Sequence, residues 1–109
     1  MSNIYGISKQ DELGIRARDK TCVYCHTAMK QTGGSGATIE HFNNDGPLDK
    51  KYNLAICCRR CNSSKGTMSL SAWFKTPYCN ERKKKITKKT VAKPVKEFMR
   101  LKKRRVAAP

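Results

Sequence analysis

Acidic residues are scarce in this chain: 8 Asp and Glu stand against 24 Lys and Arg, a formal charge of +16 over 109 residues. A surplus of that size points to a polyanionic partner. The uneven spread sharpens the reading, because residues 75–105 alone hold 14 basic and 2 acidic side chains. Long apolar runs are missing as well. No stretch approaches the roughly 20 residues of a membrane span, so no membrane insertion is expected and nucleic acid leads as the polyanion. The start Met1-Ser2-Asn3 lacks the apolar run of a secretory signal, and the expectation is a soluble protein made in the cytoplasm. With 38% hydrophobic residues, the chain has a modest core for one small domain with an appendage. A metal staple is what such a chain needs.

Cysteine, by contrast, is plentiful. Four of the six fall in two Cys-x-x-Cys pairs, Cys22/Cys25 and Cys58/Cys61. Each pair supplies a chelating turn, and zinc takes four thiolates in a tetrahedron, so the four sulfurs can close one structural site. Nothing indicates export, and the paired spacing reads as zinc in a reducing compartment rather than as disulfides. His26, beside Cys25, is a rival ligand that the second pair makes unnecessary. Cys57 competes with Cys58, but Cys57-x-x-x-Cys61 is the longer spacing, and Cys57 reads as a core strand residue. Cys79 has no partner in sequence and reads as a free thiol. A closed four-cysteine site does no catalysis. Any chemistry falls to Glu40 and His41 between the pairs and to Asn62 directly after them, oxygen and imidazole groups that suit a hard cation such as Mg²⁺ better than thiolates do.

The pattern along the chain predicts where these residues sit. Ser8-x-x-Asp11 resembles a capping box opening a helix that carries Leu13, Ile15 and Ala17 and ends near Asp19, with Gly14 a weak point. The first zinc turn follows at Cys22-Val23-Tyr24-Cys25, and the run from Gln31 to Gly36 reads as a flexible loop. Tyr24 either stacks on a base or packs on a neighbouring helix. A strand fits residues 37–42, where period-2 alternation sends Glu40 and His41 to opposite sides. One site can use both only if the chain bends at His41, and the turn-rich run 43–47 makes room for a bend. Asp45 and Asp49 read as turn formers. A second strand at 53–57 leads into the second zinc turn, and a helix from about Arg60 runs past Lys65. The sum is an α+β protein built on a β-β-α unit closed by zinc.

Together, Cys22-Val23-Tyr24-Cys25, Ile39-Glu40-His41, Asn53-Leu54 and the run from Cys58 to Gly66 resemble the zinc-containing HNH endonucleases, the ββα-metal or His-Me finger nucleases. Arg16-Ala17-Arg18-Asp19 ahead of the first cysteine is similar to that family too. The match covers residues 15 to 67. It implies a metal-dependent endonuclease hydrolysing DNA phosphodiesters, with His41 as the general base that activates water and Asn53 orienting the loop that carries it. It further implies Glu40 and Asn62 as ligands of a catalytic Mg²⁺ or Mn²⁺ and products ending in 5′-phosphate and 3′-hydroxyl. Family members often carry Asp at the Glu40 position and His at the Asn62 position; both substitutes still offer an oxygen to a hard cation. An imidazole with a pKa near ~6.5 can take a proton at neutral pH. Lys65, one turn after Asn62, is a candidate phosphate contact.

The last third reads differently. Leu70, Trp73 and Phe74 share one helical face in a short helix that Pro77 ends, a core element rather than a stacking platform. Pro94 can start a helix with Val95, Phe98, Met99 and Lys102 on one face. Arg82, Lys83, Lys84, Lys85, Lys88 and Lys89 form a cationic run, either a solvated tail or an arm along the phosphate backbone that raises affinity without specifying sequence. The expected organisation is a nuclease domain over residues 1–77, with flanking helices and structural Zn²⁺, and a basic, partly helical C-terminal extension over 78–109. The expected activity is nicking of DNA with little sequence preference, by a monomer or weak dimer, alone or within a larger phage or host DNA-processing complex. The competing class is a noncatalytic zinc-containing module that binds nucleic acid.

Overall fold

The first helix, α1 (Lys9–Arg18), begins where Ser8 Oγ accepts the Asp11 backbone N–H at 3.0 Å, with Asp11 and Glu12 at the positive end of its dipole. This computed structural model describes residues 8–42 and 53–107; the expectations for Met1-Ser2-Asn3, for the run 43–47, for Asp45 and Asp49 and for the Lys102 side chain lie outside the described parts. α1 buries only Ile15, so its attachment is mostly polar. Arg18 donates from Nε and Nη2 to the two Asp19 carboxylate oxygens, each at 2.7 Å, and its Nη2 reaches the Leu54 carbonyl at 3.2 Å.

Strands β1 (Ala37–His41) and β2 (Leu54–Cys58) pair antiparallel in a register running from Ala37↔Cys58 to His41↔Leu54. All five residues of β2 are buried, because both of its faces are covered. Leu54 and Ile56 pack with Ile15 of α1, whereas Ala55 and Cys57 join the main core with Trp73, Val95 and Phe98. The β2 edge away from β1 is satisfied as well: Ile56 N–H donates to Asp19 Oδ2 at 3.0 Å, and the Ile56 carbonyl accepts from Val23 N–H at 3.3 Å. Buried backbone groups must find partners, and the Arg18-Asp19 pair supplies them where, among the described residues, no third strand does. The ladder does not break at His41, since Phe42 N–H donates onward to the Asn53 carbonyl at 3.0 Å. The strand stays regular through His41, so the bend that would bring Glu40 and His41 to one side is not made there, and the two keep opposite facings.

Helix α2 (Arg59–Lys65) follows β2 directly, with Cys58 as its N-cap residue. Its first N–H groups have no intrahelical partner. The carbonyls of Gly36 and Gly34 accept from Arg59 and Arg60 N–H, both at 2.9 Å. The glycine loop expected to be merely flexible is thus the cap of α2, with Gly33 at φ 83° forming its turn. A Cβ on Gly34 would come within 2.5 Å of Arg60 Nε.

Three further helices follow among the described residues: α3 (Leu70–Trp73), capped by Ser69, α4 (Pro77–Asn80) and α5 (Lys93–Ala107). Pro77 does more than end α3; it opens α4, where its missing N–H costs nothing. Trp73 is fully buried and donates from Nε1 to Ser64 Oγ at 2.9 Å. Cys79, Ile86, Val91, Val95 and Phe98 belong to the same core cluster as Tyr24 and Trp73. These apolar residues of the segment expected as a basic arm therefore help build the core, while Lys83, Lys84, Lys85, Lys88, Lys89, Lys93 and Lys96 stand outside. Among the described residues no helix is long and apolar enough to cross a membrane.

Candidate metal centre and catalytic groups

The first cysteine pair sits in a tight turn closed by a bridge between Thr21 and Ala28, with Cys22 N–H donating to the Thr27 carbonyl and His26 N–H to the Cys22 carbonyl. His26 takes the left-handed backbone that closes this turn, at φ 64°. The second pair spans the β2–α2 junction. The Sγ atoms of Cys22, Cys25, Cys58 and Cys61 all lie within 4.8 Å of one another, and those of Cys25 and Cys58 are 3.7 Å apart. A zinc tetrahedron with bonds of about 2.3 Å has edges of about 3.8 Å, so the cluster fits the ion with little adjustment. Backbone N–H groups of Tyr24 and Cys25 already point at Cys22 Sγ, at 3.4 and 3.5 Å, and the Tyr78 hydroxyl lies 3.3 Å from Cys61 Sγ. Such donors stabilise thiolate charge. The two rivals lie apart: Cys57 is buried with its Sγ 3.8 Å from Thr38 Oγ1, and the His26 Nε2 bonds the Thr90 carbonyl.

The expected catalytic residues divide between the two sides of β1. Glu40 is 2% exposed and faces the main core, where the Tyr24 hydroxyl donates to its Oε2 at 2.7 Å and Lys65 Nζ lies 3.6 Å away. Burial pushes the Glu40 carboxyl upward, and the Lys65 charge and the Tyr24 hydroxyl oppose that push. Tyr24 is itself driven well above its ordinary value by burial and then by Glu40. Lys65 is 0% exposed and donates to the His41 carbonyl at 3.1 Å. This corrects the expectation of a Lys65 phosphate contact: its ammonium is spent on Glu40 and on the His41 backbone, without surface to offer a ligand. Glu40, expected as an open metal ligand, is likewise engaged inside the protein.

His41 is half-buried, and burial, followed by the Lys65 charge, holds its imidazole below the ordinary histidine value. It is therefore neutral near pH 7, the form that can accept a proton. Asn62 commits its amide N–H groups to Thr38 Oγ1 at 3.0 Å and to the Ile39 carbonyl at 3.1 Å, which ties α2 to β1 and leaves Oδ1 as the atom a cation would take. Asn53 is buried at the start of β2, its carbonyl accepting from Phe42. Lys83, Lys84, Lys85, Lys88 and Lys89 are exposed, while the Arg82 guanidinium lies 5.0 Å from the centre of the Tyr78 ring. Sequence reasoning missed Asp19, Tyr24 and Tyr78 as structural partners. Each acts across more than 15 residues, and local pattern carries no trace of that except the position of Arg18-Asp19 before the first cysteine.

Fold and site together define a small α+β protein with a two-stranded antiparallel sheet and a four-cysteine cluster able to hold a metal. Over 93% of its length the chain is similar to part of a crystal structure of the Type II-C Cas9 enzyme from Actinomyces naeslundii, with a TM-score of 0.54 and 24% identity. The chain spans 11% of that enzyme, and at this identity the likeness is one of fold. No family model and no curated protein matches the chain.

Proposed function

We propose that the protein is a zinc-stapled nuclease of the HNH, ββα-metal kind that hydrolyses DNA phosphodiesters. The observation that carries this reading is a half-buried imidazole at the end of β1, its backbone gripped by Lys65 and its strand tied to α2 through Asn62. The fold likeness and the +16 charge support a nucleic-acid partner. His41 accepts a proton from water as that water attacks phosphorus. Asn53 steadies the strand end that carries His41. A divalent ion, when bound, supplies charge neutralisation on the phosphate and leaving oxygen. Asn62 Oδ1 would hold it, with water and substrate phosphate filling most of the shell, as Mg²⁺ tolerates. Glu40, with Tyr24 and Lys65 both on its Oε2, would have only Oε1 to offer that ion.

Incubation of supercoiled plasmid with Mg²⁺ or Mn²⁺ tests the proposal. Open-circle product that requires added divalent ion is expected, and His41→Ala is expected to slow it by about 10²–10⁴-fold while leaving DNA binding intact. Cleavage by His41→Ala at the parental rate would remove His41 from its role. The burial of Glu40 favours one second reading, a noncatalytic zinc module that binds nucleic acid. Plasmid that is shifted but never cut with either ion would establish it.

A further inference from the structure

The cationic run Arg82–Lys89 is a folded loop bolted to the zinc turn, not a loose tail. Ile86 buries its side chain and donates its N–H to the Cys79 carbonyl at 3.0 Å. Thr87 N–H donates to Thr90 Oγ1 at 2.8 Å, Thr90 Oγ1 donates to the Lys85 carbonyl at 3.2 Å, and the His26 ring holds the Thr90 carbonyl. Just beyond, Ala92 N–H donates to the Val23 carbonyl at 2.8 Å. Between the loop and the zinc turn lies an open cleft of about 680 Å³ lined in part by Cys25, His26, Arg82, Lys84, Lys85 and Thr90.

Residues 82–90 contain six cations and no acid. Holding like charges in one fixed loop is unfavourable, and a chain that only needed solubility would leave them on a mobile segment where they could separate. Part of the charge has an internal use, because a zinc tetrathiolate carries a formal charge of about −2. Arg82, stacked over Tyr78 beside Cys61, serves that need. No acidic residue within the loop offsets the exposed Lys84, Lys85, Lys88 and Lys89, and of these Lys84 and Lys85 line the cleft beside the zinc turn. A row of ammonium groups matches a repeating phosphate, and contacts confined to the backbone specify no sequence.

We propose that the cleft between the zinc turn and the 82–90 loop is a preorganised binding surface for the phosphodiester backbone of a nucleic acid strand, contacted within the cleft by Lys84 and Lys85 and extended over the loop surface by the exposed Lys88 and Lys89. This deepens the reading above in its nucleic-acid partner and does not depend on cleavage. The surface is held in register by the zinc turn and works by position as well as by charge.

The test uses full-length protein carrying His41→Ala, without added divalent ion, and the anisotropy of a labelled DNA duplex across a salt series. One variant adds Lys84→Gln, Lys85→Gln, Lys88→Gln and Lys89→Gln; a charge-matched control instead adds Lys9→Gln, Lys20→Gln, Lys30→Gln and Lys75→Gln, four exposed lysines elsewhere. Both carry a formal charge of +12, from +16 − 4. The loop variant is expected to lose roughly tenfold or more in affinity at 0.15 M salt and to flatten the log–log salt slope by about 2–4, with zinc content unchanged. The control is expected to change the slope by less than about 1. Equal losses in the two variants would mean that net charge alone attracts DNA and would overturn the proposal, as would parental affinity in the loop variant. Absence of binding by the His41→Ala parent would sink the nucleic-acid reading itself. Plasmid cleavage by the wild-type chain, assayed beside it, is untouched by the first two outcomes.

Discussion

Glu40, Lys65 and Tyr24 show how one side chain can be read correctly as important and wrongly as to why. The sequence places an acid before a histidine and a lysine one turn after an asparagine, and both look like tools for handling phosphate. Whether a polar residue meets solvent or a partner depends on what covers it. Here the cover comes from Tyr24, sixteen residues away from Glu40, and from the far end of α2. A buried pair is costly to form but far costlier to halve. Lys65→Met is therefore expected to destabilise the fold by about 3–5 kcal/mol, because it leaves the Glu40 carboxylate buried without its countercharge. Glu40→Leu combined with Lys65→Met should recover much of that loss, the coupling that neighbouring groups show. Urea midpoints of the two variants check this. A Lys65→Met protein with parental stability and weakened DNA binding would return Lys65 to the phosphate contacts. The cysteine pairs were legible because their chemistry is local: two-residue gaps make chelating turns whatever surrounds them.

Among the elements, the helices and strands near the cysteines were readable from capping signals and period-2 alternation, and α1, β1, β2 and α2 fall where those signals put them. The glycine loop was not readable. Its contribution is made by the carbonyls of Gly34 and Gly36, and main-chain acceptors leave no residue signature beyond the glycines that let them approach. The same holds for the β2 edge, where Asp19 does what a strand would otherwise do. The four-cysteine cluster links these pieces, since it joins the Cys22–Cys25 turn to the end of β2 and the start of α2. Metal binding at such a site is folding free energy, because the preformed cluster does not exist in the unfolded chain. Removing the ion with a strong chelator is expected to loosen the turn and with it Tyr24, whose ring packs edge-on against Trp73 at 4.7 Å between centroids. Trp73 is the single tryptophan and is fully buried. Its emission should shift to the red on chelation and return when Zn²⁺ is restored. Emission that stays put with the zinc gone would show that packing alone holds the turn.

Across the whole molecule, charge and core are interleaved along the same segment. The composition shift after Pro77 marks where the basic residues concentrate, and it hides the apolar residues threaded among them. Ile86, Val91, Val95 and Phe98 are each 3% exposed or less, and Phe98 packs 5.0 Å from Phe42, centroid to centroid. Their spacing over an irregular loop follows no single period, which is why a pattern search reads charge and misses burial. The consequence bears on a simple experiment. If residues 78–109 were only an arm on DNA, a chain ending at Pro77 would stay folded and lose affinity and salt dependence. Because that truncation strips five buried residues, counting Cys79, from one small core, the expected result is a chain that fails to fold cooperatively even with Zn²⁺ present. A milder form separates packing from charge: Phe98→Ala keeps every cation and is expected to cost about 3–5 kcal/mol. Circular dichroism melts of both variants decide the matter. A truncated chain that melts as sharply as the parent would make the basic segment a separable arm. A Phe98→Ala protein that unfolds early while still binding DNA at low temperature would show that the segment holds up the fold and presents its charges as two distinct duties.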